Sequence, residues 1–486
     1  MLVIITIIIY FSLLFAISKI TSRKGNSNQI FFKAENKSPW FIVAFGMIGA
    51  SISGVTFVSV PGMARDIDMT YMQMVFGFFF GYLIVAHLLL PLYYKLGLTS
   101  IYSYLKQRIG RKAYKTGSIF FLLSRMLGTA AKLYLVCLIL QHFVFQDWNI
   151  PLWTIATGAV FLVWVYTHQS GIKTIVWTDA LQTLCLVLAL LAIIYSVMTQ
   201  LDLNFTEAWN TIQENSHSKM FVWDDWVSKQ NFYKQFFSGI FIVIVMTGLD
   251  QDMMQKNLTC KNIKDAQKNM YSYGFAFIPL NFLFLCLGIL LLTLASQISL
   301  ELPAKSDDIL PLLATNGYLG QTVVILFTIG IIAAAFSNSD SALTAMTTSV
   351  CVDLLNIEKE EKKKAIRKRH WVHIIMSILL IACICFVDIM NSQTVIDAIY
   401  IIASYTYGPL LGMFAFGLFT KRKTKDQFVP YIAIASPILC YLLDQYMIYY
   451  FNYKLGYELL MLNGLLTYAG LILFSKPNKY IETKRL

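Results

Sequence analysis

The chain is poor in charge. Asp, Glu, Lys and Arg make up 14% of its 486 residues, where about 25% is usual for soluble domains. That scarcity, with 57% hydrophobic residues and a mean hydropathy of +0.61, excludes disorder, a coiled coil and an ordinary soluble domain. Only six histidines are present, and none belongs to a ligand cluster. His370 and His373 share a helix face, but two ligands do not make a metal centre. The eight cysteines fall in apolar runs or in loops on the basic side, so no disulfide framework is expected. Short alternating strands are lacking too, which excludes a transmembrane β-barrel.

Long continuous apolar runs are what the sequence does have. Thirteen reach the length a helix needs to cross a bilayer. The expectation is therefore an all-α polytopic membrane protein with about 13 transmembrane helices. The first run has no basic segment before it and no small-residue cleavage site after it, so it reads as a retained span.

The charges orient the spans. Of 39 Lys and Arg, 31 fall in loops on one side and 6 on the other. The positive-inside rule then puts the N-terminus outside and the C-terminus in the cytoplasm of a plasma or inner membrane. It also accounts for the net charge of +12 with lipid as the partner and no nucleic acid. The run Lys359–Arg369 (KEEKKKAIRKR) reads as a basic cytoplasmic loop. Arg125 and Lys132 lie within the fourth run, seven apart and so near one helix face.

Two runs are interrupted by glycines and carry many hydroxyls and carboxylates. The second holds Gly46, Gly49, Gly54 and Gly62 among Ser51, Ser53, Thr56 and Ser59. The seventh holds Gly239, Thr247, Gly248, Asp250, Gln251 and Asp252. They are five spans apart. A repeat of five helices must insert its second copy upside down, the pattern of transporters with a midplane site. The expected organisation is a first helix and loop (1–38), repeat 1 (39–199), an external loop (200–233), repeat 2 (234–419), and two peripheral helices with a short tail (420–486).

Ionisable residues within spans are costly and point to function. Asp179 lies in YTHQSGIKTIVWTDALQ (166–182). The ninth run contains TIGIIAAAFSNSDSALTAMTTS (328–349), with Ala334, Ser337, Asn338, Asp340 and Ser341 at helical spacing. Oxygens on one helix face with few formal charges suit a hard monovalent cation, and sodium is the natural candidate. For Arg125 three readings stand open: snorkelling, pairing with a buried Asp, or clamping a substrate carboxylate.

Several stretches together resemble the sodium:solute symporter family. They are WTDALQ (177–182), AAAFSNSDSALTA (333–345), GLDQDMMQKNLTCKNIKDAQKN (248–269), SISGVTFVSVPG (51–62) and YGPLLGMFAFGLF (407–419). The resemblance implies a LeuT-type 5+5 inverted-repeat core, alternating access and sodium coupling, and no enzymatic activity. It implies a first sodium site from backbone oxygens of Gly49, Ile52 and Ala334 with Ser337 and Asn338, where the family usually has Ser or Thr in place of Asn338. It implies a second sodium site from Asp179, Ser337, Asp340 and Ser341. Substrate groups would come from Ser53, Thr56, Gln73, Arg125 and Asp250. The expected solute is small, polar and organic, with a sialic acid-like or other carboxylate preferred over a neutral sugar. A channel or a non-transporting sensor on the same fold is the more distant alternative.

Overall fold

The structure, a computed structural model, describes residues 2–22, 27–145, 148–168, 171–390 and 395–477. The end of the predicted tail, 478–486, lies outside the described residues. Helices overlie each of the apolar runs in turn. We label them α1 (Leu2–Ser22), α2a (Trp40–Ser51), α2b (Gly54–Ile67) and α3 (Tyr71–Ile84, continuing to Leu96). Then follow α4 (Arg111–Ile139), α5 (Leu152–Thr167), α6 (Ile172–Gln200), α7a (Phe232–Gly248), α7b (Gln251–Asn257) and α8 (Ile263–Gln297). The last are α9 (Gln321–Leu354), α10 (Lys362–Met390), α11 (Val395–Phe419), α12 (Val429–Phe451) and α13 (Leu459–Leu473). Among the described residues, seven helices are individually long and apolar enough to cross a membrane, or up to eight if the bent α7a–α7b pair is one span. The expected count of thirteen adds shorter apolar helices such as α2a, α5 and α13.

Both glycine-interrupted runs are broken. Ile52 leaves the helical region (φ −77°, ψ 81°) and Ser53 is extended, so α2a stops and α2b restarts at Gly54. α7a ends in a π-helical turn, Ile244–Gly248, and Asp250 caps α7b. The two halves are bent by 70°. Such turns free backbone carbonyls that a continuous helix would satisfy, and at membrane depth this is tolerated only inside protein or against a cavity.

Helix packing shows an exchange between the two broken helices. α3 lies along α7a, and α8 lies along α2a and α2b. Glycine makes both contacts close. A Cβ at Gly77 would sit 2.1 Å from the Phe236 carbonyl oxygen, and one at Gly239 would sit 2.4 Å from that of Met74. At Gly288 it would meet Pro61 O at 2.2 Å. Without a hydrophobic drive between helices in lipid, this backbone proximity supplies the dispersion that holds them.

α6 packs on α9 and on α2a. Gly46 admits the Asp179 side chain, and Gly49 admits that of Thr183. These contacts bring the predicted ion residues of three helices to one level. α1 lies outside this group against α6 and α9, while α12 and α13 pack beside α11.

Candidate functional site

The α2 break and the small-residue face of α9 meet through Asn338. Its Nδ2 donates to the Ala50 carbonyl oxygen at 3.0 Å, the carbonyl two residues before the gap. That bond fixes the amide, since a carbonyl oxygen needs the nitrogen end. Among the described residues the Asn338 Oδ1 is buried with no hydrogen-bond partner. A buried acceptor of this kind is rare without a reason. Ser337, on the preceding position of α9, donates from Oγ to Asp179 Oδ1 at 2.7 Å, which leaves the Oγ lone pairs available. A lone amide oxygen, a hydroxyl and the freed carbonyls of the α2 break form an oxygen set that fits sodium. Asn338, where the resemblance expects a hydroxyl residue, presents an amide oxygen at the break.

All four residues of the expected second site converge. Asp179 takes Ser337 on Oδ1 and Ser341 on Oδ2, the latter at 3.4 Å. Ser341 also reaches Asp340 Oδ1 at 3.2 Å, and Tyr166 donates to Asp340 Oδ2 at 2.8 Å. Gln182, turned with its nitrogen toward the carboxylate, lies 3.3 Å from Asp179 Oδ1. The group also holds a cation of its own. Lys256 Nζ sits 2.8 Å from Asp179 Oδ2, and both residues are buried. Lys256 is one of the 31 Lys and Arg that the sequence places in loops on the basic side. The signal for its burial was the glycine break before it, after which QDMMQKN continues as a helix rather than leaving the bilayer.

At the break lies a cavity of about 100 Å³. Its lining comes from α2 (Ser51, Ser53, Thr56), α3 (Phe78, Tyr82), α4 (Arg125, Lys132), α7 (Thr247, Met253), α8 (Tyr273, Phe277) and Asn338. Three of the five predicted substrate residues, Ser53, Thr56 and Arg125, are here. Gln73 lies outside this lining. Its amide is engaged at both ends, donating to Gln230 O at 2.8 Å and accepting from Val222 N at 3.0 Å, and it fastens the segment before α7a instead of lining the cavity. Asp250 is also absent from the lining. It caps α7b, accepting from Asp252 N at 2.9 Å, and takes the Tyr407 hydroxyl.

Of the three readings of Arg125, the ion pair is realised. Its Nη2 bonds Asp252, and its Nη1 lies 3.8 Å from Asp250 Oδ2. The guanidinium is buried, so it does not snorkel, yet it borders the cavity. Lys132 borders the same cavity with no acidic partner in ion-pair distance among the described residues. Ser51, Tyr82 and Tyr273 were not anticipated as solute contacts. Tyr82 donates to Tyr273 Oη at 2.8 Å, and Tyr273 meets the Ser51 hydroxyl.

Two broken helices packed by exchange, with a cavity and an oxygen cluster at the breaks, define a class: a multi-pass secondary transporter with a LeuT-type core. A solved structure described as the substrate-bound outward-open state of a Na⁺-coupled sialic acid symporter superposes with a TM-score of 0.83 at 19% identity, covering 98% of this chain and 99% of that one. The model of the sodium:solute symporter family matches residues 31–427, and the chain belongs to that family. It is a sodium-coupled solute transporter, not an enzyme. Similar curated proteins include the sodium/sialic acid symporter NanT of Aliivibrio fischeri, 24% identical over 86% of this chain and 83% of that protein. The sodium/sialic acid symporter SiaT of Proteus mirabilis is 23% identical over 87% and 86%.

Proposed function

We propose that this chain carries a small acidic organic solute, a carboxylate, into the cell together with sodium by alternating access. The cavity bordered by Ser53, Thr56, Arg125 and Lys132 is its solute site. Gly49, Ile52, Ala334, Ser337 and Asn338 hold the sodium ion. The chain lies in a plasma or inner membrane, with the N-terminus outside and the basic loops in the cytoplasm. The halves 39–199 and 234–419 form the inverted repeats.

The observation that carries the solute class is Lys132. Arg125 is neutralised by Asp252, and Asp250 lies within reach of the same guanidinium. Among the described residues Lys132 has no such partner, and it borders the cavity. A cation beside a low-dielectric cavity is stabilised by an anionic ligand. The names of the two curated relatives point the same way, since sialic acid is a carboxylate. The neutral-sugar reading draws on the hydroxyls of Ser51, Tyr82 and Tyr273.

Sodium binding at the α2 break stabilises the state whose cavity accepts solute, which is coupling by differential affinity. Each sodium moving inward releases ~2.3 kcal/mol per 100 mV of membrane potential. The test is uptake into proteoliposomes under an inward sodium gradient. N-acetylneuraminate and short monocarboxylates are compared with glucose and galactose. Sodium-driven uptake of a carboxylate that falls in Lys132→Gln supports the reading. Uptake of neutral sugars alone, unchanged by that substitution, overturns it.

A further inference from the structure

The basic run at the start of α10 divides into cations that the chain satisfies and cations that it does not. Lys368 Nζ bonds Glu360 Oε1 at 2.5 Å. Arg369 is buried, donates to Asn28 Oδ1 at 3.0 Å and lies over the Phe31 ring at 4.3 Å. One turn further on, the His373 ring meets Thr347 of α9 at 2.8 Å and Thr167 of α5 at 3.1 Å. This face of α10 is spent on the protein. Lys363 and Arg367 are exposed instead, and among the described residues neither has a carboxylate within ion-pair distance.

Lys363 and Arg367 line a surface cavity of about 390 Å³ together with Ile366, His370, Trp371 and Ile374. Their spacing keeps these residues on one stripe of the helix. Along the stripe the chemistry changes in order. Two cations come first, then the exposed Trp371 ring, then Ile374 and the exposed Ile375, Ile378 and Leu379. A phospholipid has the same order, from charged headgroup through the interface to the acyl chain. The first turn of α10 also carries Lys362, Lys363 and Lys364 and no acidic residue. Cations at a helix N-terminus oppose the macrodipole, so this end of α10 is short of negative charge. A phosphodiester supplies it, and the Arg367 fork can span two phosphate oxygens. A zwitterionic headgroup would bring a cation of its own to the same place. A soluble phosphate would leave Trp371 and the isoleucines without a partner. The topological bias of basic loops requires none of this, since it counts charges on a side whichever residues carry them.

We propose that Lys363, Arg367 and Trp371 form a binding site on α10 for an anionic phospholipid of the leaflet on the basic side. The phosphodiester lies against the two cations, and an acyl chain runs along Ile374 and Ile378. The proposal requires that α10 spans a bilayer and is independent of the sodium and solute sites.

Equilibrium binding of radiolabelled dioleoylphosphatidylglycerol to the purified full-length chain in detergent tests it. The competitors are unlabelled phosphatidylglycerol, phosphatidylcholine and inorganic phosphate at matched ionic strength. On the wild type, phosphatidylglycerol displaces the label at far lower concentration than phosphatidylcholine, and phosphate does not displace it. Lys363→Gln/Arg367→Gln weakens phosphatidylglycerol binding about tenfold, in line with the loss of two cations beside an anionic lipid. Lys421→Gln/Lys423→Gln removes the same charge from another basic loop and binds as the wild type does. All four of these side chains are exposed, so neither pair disturbs the core. Trp371→Ala weakens binding by a smaller factor and serves where the first pair does not fold. Equal displacement by the two lipids, undiminished binding in Lys363→Gln/Arg367→Gln, an equal loss in the control pair, or displacement by phosphate overturns the proposal. Neither sodium nor solute is added, so an error in the transport reading leaves this result unaffected.

Discussion

The ion cluster and the solute cavity both adjoin the α2 break and are built differently. The cluster draws side chains mainly from α6 and α9, and its predicted members all converge. The cavity takes two to five residues from each of α2, α3, α4, α7 and α8, plus Asn338. A small hard ion needs oxygens at fixed separations, which closely spaced residues on two or three helices supply. An organic solute needs a surface, and that surface is assembled from residues far apart in the chain. The cluster pairs one of its two carboxylates with a lysine, whereas among the described residues Lys132 at the cavity has no carboxylate within ion-pair distance.

If the two regions are as distinct as this, single substitutions should separate them. The largest effect is expected at the buried Arg125–Asp252 pair. Arg125→Ala strands Asp252 and Asp250 in a buried setting, at a cost of about 3–5 kcal/mol. Folded yield on size-exclusion chromatography should collapse, with Arg125→Ala/Asp252→Asn recovering part of it. A single variant that folds as well as the wild type would mean that the pair is incidental.

Ser337→Ala comes next. It removes one oxygen from the ion side and should weaken sodium binding by about 1–2 kcal/mol, the scale of a lost polar contact. Sodium activation of uptake should move to higher concentration at unchanged saturating solute affinity. Lys132→Gln is the reciprocal test. Losing a charged hydrogen bond of about 1.5–3 kcal/mol should raise the solute KM at saturating sodium and leave the sodium count alone. An equal shift in both constants for either variant would dissolve the distinction.

The smallest effect is expected at Gln73. Its amide joins Gln230 and Val222 and does not border the cavity. Gln73→Met should lower the melting temperature by a few degrees, the scale of about 1 kcal/mol in a chain of this size or less, and leave solute KM unchanged. A strong KM effect would return Gln73 to the solute site.

The same division explains what could be read in the sequence. Ser337 and Ser341 are i, i+4 on one helix, and WTDALQ marks Asp179, so the cluster was legible from local spacing. The amide of Asn338 was legible as an oxygen donor, but its bond to Ala50 O, which frees that oxygen, is a long-range contact. Arg125 was visible as a costly charge. Its partner was not, because Asp252 becomes its neighbour only after α7 bends by 70°. Lys256 was counted with loop lysines for the same reason. A glycine break resembles the end of a span when backbone direction is unknown. Tyr82 and Tyr273 stand among 27 tyrosines, and nothing in their spacing sets them apart. The broken helices were legible because glycine and hydroxyl residues have no cheaper explanation at that density.

The central claim is that the ion site and the cavity are coupled at the α2 break, where Asn338, next to Ser337 in the chain, bonds Ala50 and borders the cavity. Coupling of binding free energies is reciprocal between sites. Calorimetric titration of the purified chain with its carboxylate solute, at millimolar and at saturating sodium with ionic strength held by choline, measures it directly. The account predicts a dissociation constant at least several-fold lower in saturating sodium, with Ser337→Ala needing more sodium to reach the same value. An identical dissociation constant at both sodium levels would contradict it.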